Sequence, residues 1–147
     1  DILPTLLALA GESARLPSDR YIDGVDQSSF LLAPEGLSNR KYHYYWLQDN
    51  FSALRCGEYK LMRMAISDND TDAAGPGGFT GVLQQFAYSR LYNLYLDPKE
   101  THNYLTRKLA YVEAFQLGMR AHFQTFRKYP PKKVMGLAAA DSRQENG

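Results

Sequence analysis

The sequence predicts an α+β fold: a four-stranded antiparallel sheet with one long C-terminal amphipathic helix packed on it, preceded by a short helix and a connector. Three observations carry this expectation. Large apolar residues alternate over 41–47 and 90–96, the period-two pattern of strands with one buried face, and 51–56 and 59–65 are two further strand candidates. Two of these segments flank Gly57-Glu58, a length and composition that suit a tight antiparallel hairpin. Apolar residues then recur at spacings of three, four or seven from Leu105 to Phe126, which is the helical period. Strands followed by a striped helix close most simply as two layers around one core.

The elements follow in chain order. Asp1 to Gly11 predicts a short helix. Asp1 can accept from free N–H groups of the first turn, Pro4 is tolerated there, and Gly11 can end the helix in a left-handed conformation. Ile2, Leu3, Leu6, Leu7 and Leu9 occupy nearly every face of it. A short helix that is apolar all round needs cover on several sides. Ser13 to Asn39, with Pro17, Gly24, Pro34 and Gly36, predicts an irregular connector. The first strand, Lys41 to Leu47, sets Tyr42, Tyr44 and Trp46 on one face and His43 and Tyr45 on the other. Strands over Phe51 to Cys56, Tyr59 to Ala65 and Arg90 to Leu96 come next, with a solvated loop from Ser67 to Gly81 before the last. The final helix is expected from about Thr106 to Lys128, its stripe made by Leu105, Leu109, Val112, Phe115, Met119, Phe123 and Phe126. Pro130 and Pro131 stop it.

Composition excludes several classes of function. The 147 residues are 44% hydrophobic and 13% aromatic, enough for one core. Seventeen basic against 16 acidic residues give a net charge of +1, so no global field draws in nucleic acid or an anionic membrane. The longest apolar run, Ile2 to Ala10, is too short to span a bilayer and lacks a basic leader. A start at Asp1 directly into a helix reads as a piece of something longer. Cys56 is the sole cysteine, so no internal disulfide forms and redox chemistry does not indicate a compartment.

Residue chemistry points to no reaction. Cys56 sits at a strand end, where Arg55 and Lys60 project away from it, and reads as a packing residue. His43, His102 and His122 have no partner at metal-ligand spacing, and His122 reads as a flank beside the helix stripe. Asp68-Asn69-Asp70-Thr71-Asp72 opens like a calcium loop, yet Ala73 and Phe79 stand where that loop needs Gly and Glu. The aromatics of Tyr42 to Trp46 could stack bases, but balanced charge favours a core role. Metal, nucleic-acid and membrane partners are therefore not expected.

Several segments together resemble the end of a sulfatase of the alkaline phosphatase-like superfamily. Asp1-Ile2-Leu3-Pro4-Thr5-Leu6 with Leu9-Ala10-Gly11 is similar to that family's D-[ILF]-x-P-T-[LI]…LAG helix. Ile22-Asp23-Gly24-Val25-Asp26 resembles its DG-[VIK] turn, and Leu31-Leu32 with Ser38-Asn39-Arg40 its LL-G…(S)-x-R stretch in bacterial arylsulfatases. Arg55-Cys56-Gly57-Glu58-Tyr59-Lys60 is similar to R-x-G-[DE]-Y-K. Leu91-Tyr92-Asn93-Leu94, with Asp97-Pro98-Lys99-Glu100 and Asn103, is similar to LY-[DN]-L-x-x-DP-x-E-x-x-N. Lys128-Tyr129-Pro130-Pro131 also resembles the end of some bacterial members. Order and spacing over residues 1 to 131 make the joint signal.

The resemblance implies an organisation. Residues 1–39 would be the end of the catalytic α/β domain and its connector, residues 40–133 the C-terminal sulfatase subdomain, and residues 134–147 a flexible tail. It implies formylglycine, made within a C/S-x-P-x-R motif, and calcium in the parent enzyme, whose periplasmic or secreted location is an expectation only. Cys56 does not match that motif, because Glu58 and Lys60 stand where Pro and Arg are required. No catalytic or metal residue carries over, and the chain alone is expected to hydrolyse nothing. Its expected partners are the N-terminal catalytic domain and, through it, a sulfate ester. A rim role falls to Arg40, Lys41, His43, Tyr44 and Tyr45, just after the connector, where clefts between domains form. Packing and solvent-facing roles are the alternative for these five. A reading from another class stands beside it: a stand-alone binding or self-assembly module, joined as a homo-oligomer through the apolar first helix.

Overall fold

The structure is a computed structural model and describes residues 1–47, 49–67 and 81–130. In chain order it holds α1 (Ile2–Leu9), α2 (Ser28–Leu32), β1 (Tyr42–Leu47), β2 (Asn50–Cys56), β3 (Tyr59–Ile66), β4 (Leu83–Asn93) and α3 (Tyr111–Lys128). Single 3₁₀ turns occur at Ser13–Arg15 and Leu105–Arg107. The four strands form one antiparallel meander in the order β1-β2-β3-β4. The expected α+β architecture is the observed one.

The hairpin between β2 and β3 shows the local cause. Gly57 holds φ +58, a conformation open to glycine, and Arg55 Nε donates to its carbonyl at 2.8 Å. Cys56 then faces Tyr59 across a two-residue turn. The core lies between the sheet and α3. Leu54, Leu91 and Phe115 are its largest fully buried side chains, joined by Phe51 and Leu61.

Three segments depart from expectation. The last strand runs Leu83–Asn93, not Arg90 to Leu96. Asn93 ends it: its Oδ1 accepts from the Tyr95 and Leu96 amides at 3.0 and 3.1 Å, a side-chain turn that competes with the strand ladder. The long helix begins at Tyr111, later than Thr106. Asn103 Oδ1 accepts from the amides of Leu91 and Leu105, which pins the 3₁₀ turn to β4 and leaves Leu109 64% exposed. The docked face of α3 is centred on Phe115, Gly118 and His122. His122 is therefore a buried residue and not a flank.

The connector is more ordered than its turn residues suggest. Asp26 Oδ1 accepts from Ser28 N at 2.8 Å and starts α2. Gln27 is buried, and its Oε1 accepts from Ser38 Oγ and Asn39 N, both at 3.1 Å. Asp1 caps nothing in its own helix. Its carboxylate accepts from Val25 N at 2.8 Å and from Arg40. Gly24 fits against Pro4, where a Cβ would come within 2.9 Å of the ring. Gly11, at φ +72, ends α1 as expected.

The stretch after β4 is tied back by the residues that carry the sulfatase resemblance. Asp97 is buried and accepts from Thr101 Oγ1 at 2.9 Å and His102 N at 2.7 Å. The hydrogen bond from the His102 amide, first of all, holds its carboxyl below the usual range. Glu100 pairs with Lys60 at 2.7 Å. The calcium-loop-like segment from Asp68, most of the solvated loop before β4, and the tail after Lys133 lie outside the described residues.

Candidate functional site

Where the connector meets the edge strand, a cleft of about 450 Å³ is lined by Tyr21, Asp23, Arg40, His43, Tyr44, Trp46 and His122. Three elements supply it. The connector brings Tyr21, Asp23 and Arg40; β1 brings His43, Tyr44 and Trp46; α3 brings His122.

Tyr44 and Trp46 share a face of β1 because strand side chains alternate. Both lean on α3. The Tyr44 ring stacks on His122 with centroids 3.8 Å apart and planes within 8°, and its hydroxyl donates to the Gly118 carbonyl at 3.3 Å. Trp46 Nε1–H donates to His122 Nε2 at 3.3 Å. That bond makes Nε2 an acceptor, so the imidazole proton belongs on Nδ1. Nδ1 is buried, and no group among the described residues pairs with it. Close approach of α3 depends on Gly118. A Cβ there would lie 2.7 Å from Tyr42 Cε1.

Arg40 is held internally. Nε and Nη2 reach the two Asp1 carboxylate oxygens, and Nη2 also donates to the Asp23 carbonyl at 2.8 Å. Its side chain is only 14% exposed. This arginine joins the start of α1, the Asp23 turn and the start of β1, with its charge already matched by a carboxylate.

Protonation states follow from burial. Burial pushes the His122 pKa down, against a smaller upward pull from Asp23. Burial also lowers His43, helped by Arg40 and Arg55. Tyr21 and Tyr44 are pushed up, by burial first. Near neutral pH the cleft therefore presents neutral imidazoles, protonated phenols and an indole around an internally paired arginine. Such walls suit a ring bearing hydroxyl groups better than a bare anion.

Of the five rim residues expected from sequence, Arg40, His43 and Tyr44 meet here. Lys41 is exposed and does not line the cleft. Tyr45 faces the other side of the sheet, under Lys60 Nζ at 5.0 Å from its ring centroid. Sequence reasoning missed Tyr21, Asp23, Trp46 and His122 as members. Asp23 stood in a recognised turn, and His122 lies four residues after Gly118, but nothing local joins positions so far apart. Among the described residues, no three His, Cys, Asp or Glu side chains are grouped to hold a metal ion. No helix of the described residues is long and apolar enough to cross a membrane.

Comparison with known proteins decides the family. Residues 52–127 match the family model described as "Putative sulfatase AslA C-terminal domain". The chain belongs to this sulfatase C-terminal domain family. The PsFucS1 sulfatase from Pseudoalteromonas sp. is similar over 91% of this chain and 26% of its own, with 32% identity and a TM-score of 0.74. A Bacteroides thetaiotaomicron structure, described with a genetic locus for the metabolism of multiple glycosaminoglycans, matches over 82% of this chain and 24% of its own. At 24% identity and a TM-score of 0.57, it bears on the fold alone. The chain thus spans about a quarter of the length of the solved structures it matches. No curated protein matches it.

Proposed function

We propose that this chain acts as the C-terminal module of a sulfatase that hydrolyses a sulfate ester. In this reading residues 1–39 complete the large α/β catalytic domain, and residues 40–133 form the subdomain beside it. One observation carries the reading: the open apolar face of α1 and α2. Ile2, Leu6, Leu9 and Leu31 line an apolar groove of about 310 Å³. Ile2 is 78% exposed and Leu31 62%. Each such side chain gains roughly 1.5–3 kcal/mol on full burial, which favours a covering domain. A chain spanning a quarter of the solved sulfatase leaves that domain to the rest of the parent. When the parent's remainder is missing, the same face brings two copies together.

The chemistry of the reaction then belongs to the catalytic domain. The described residues fit neither calcium nor formylglycine, because they hold no metal-type cluster and Cys56 lies outside a C/S-x-P-x-R motif. The Arg40–His122 cleft sits where residues 1–39 and the sheet meet, and serves as rim for a hydroxyl-bearing ring of the substrate, away from the sulfate itself. Arg40 is a positioning residue there, while His43, Tyr44 and Trp46 offer the contacts.

The test compares the chain alone with the parent polypeptide, using a chromogenic aryl sulfate. The parent turns over and the chain alone does not. Trp46→Ala in the parent raises KM with kcat little changed, the sign of lost uniform binding. Turnover by the isolated chain that vanishes in Cys56→Ala overturns the reading. An unchanged KM in both Trp46→Ala and His43→Ala removes the rim role.

A further inference from the structure

On the other side of α3 from His122 lies a second groove, of about 520 Å³, between the helix and β3. Arg63, Arg120, Arg127, Gln116, Gln124 and Phe123 line it. Gln116, Arg120, Gln124 and Arg127 follow one another at spacings of four, four and three, so they form one ridge along α3. Seven residues put Arg120 and Arg127 about 10.5 Å apart along the axis. Arg63 faces them from β3, at the irregularity between Met62 and Met64.

Among the described residues, no carboxylate compensates the charges in this groove. Arg15, Arg20 and Arg40 each hold a carboxylate, but Arg63, Arg120 and Arg127 have no ion-pair or hydrogen-bond partner among the described residues. Among the described residues, no acidic side chain lines the groove. A protein with a net charge of only +1 thus gathers three free guanidinium groups in one concavity. The amide groups of Gln116 and Gln124 add neutral donors and acceptors beside them. Phe123, 39% exposed, provides an apolar wall.

We propose that this groove binds a sulfated polysaccharide chain. Guanidinium forks match tetrahedral oxyanions through paired N–H bonds. Two forks two helical turns apart read successive anionic groups on one chain, which a single small anion cannot do. Glutamine amides suit sugar hydroxyls, and the Phe123 ring suits the apolar face of a sugar. The choice of a sulfated glycan over other polyanions rests on the proposed sulfatase role. The binding itself requires no catalysis, so the two ideas fail separately.

The experiment titrates the chain with size-fractionated dextran sulfate, unsulfated dextran, sodium sulfate and duplex DNA, read by calorimetry at fixed ionic strength. Dextran sulfate binds, unsulfated dextran does not, and added salt weakens the binding. Arg120→Gln/Arg127→Gln weakens it at least about tenfold, since hydrogen bonds to charged groups are the stronger ones. Arg107→Gln, outside the groove, removes a charge and leaves affinity within about twofold. Unchanged melting temperatures show that each variant folds; Arg63→Gln serves in place of the double variant if that one melts early. Equal binding of wild type and the groove variants overturns the proposal. So does DNA binding as tightly as dextran sulfate, or sodium sulfate displacing dextran sulfate at equal sulfate concentration.

Discussion

The sheet with α3 and the layer made by α1 and α2 are built from similarly apolar sequence, yet they end differently. In the first, Leu54, Leu91 and Phe115 are almost fully enclosed. In the second, Ile2, Leu6, Phe30, Leu31 and Leu32 stand half to largely exposed. Both are ordered by polar ties: Asn93, Asp97 and Asn103 in one, Asp1, Asp26, Gln27 and Arg40 in the other. What differs is the second layer. The sheet has a helix on its face, whereas the outer apolar face of α1 and α2 is covered by no other element among the described residues. Hydrogen bonds and caps shape a segment, but closing a core requires an opposing apolar surface.

The largest test of this contrast is Phe115→Ala. It empties the centre of the closed core and should cost about 3–5 kcal/mol in denaturant unfolding. Leu109→Ala, on the exposed approach to α3, should stay within about 0.5 kcal/mol. Equal costs would show that the helix docks on a different face.

Gly118→Ala comes next. Helix propensity alone predicts a gain of roughly 1 kcal/mol for removing a mid-helix glycine. The Tyr42 ring reverses the sign, since the new methyl overlaps it. A net loss of about 1–3 kcal/mol is expected, and a Tyr42→Ala background should turn the same change favourable. A stabilised Gly118→Ala single variant would mean that α3 is packed more loosely.

A smaller effect should come from acid. His122 has its pKa lowered from 6.5 by burial, so the unfolded chain binds that proton first as pH falls. Stability is complete above about pH 6.5 and declines below it, down to the folded-state value. His43 is shifted the same way. The difference between wild type and His122→Phe, unfolded at intervals from pH 8 to 5, isolates the His122 share. Parallel curves would show His122 to be as exposed folded as unfolded.

The smallest stability change belongs to the open layer. Leu6→Ser, at a residue 59% exposed, should alter unfolding of the dilute monomer by no more than about 0.5 kcal/mol. It should nonetheless reduce concentration-dependent light scattering, because it breaks the apolar face. A large loss of monomer stability would show that the chain covers this face itself.

By itself the sequence determined much of what depends on neighbours. Alternation along Tyr42 to Trp46 assigned the faces of β1, Gly57-Glu58 set a hairpin, and Gly11 ended α1. The all-round apolar α1 announced that its cover lies outside it. Competing local bonds were harder to read: Asn93 looked like one more strand residue, and its side chain ended the strand three residues early. The tertiary structure decided what depends on distant partners. Arg40 looked free to meet a ligand until Asp1 and Asp23 were brought to it, and Lys41 and Tyr45 fell outside the cleft. His122 looked like a helix flank because periodicity counts apolar residues, whereas docking α3 through Gly118 buried an imidazole between Tyr44 and Trp46. Burial and charge pairing are properties of surfaces brought together, and no window of sequence contains both surfaces.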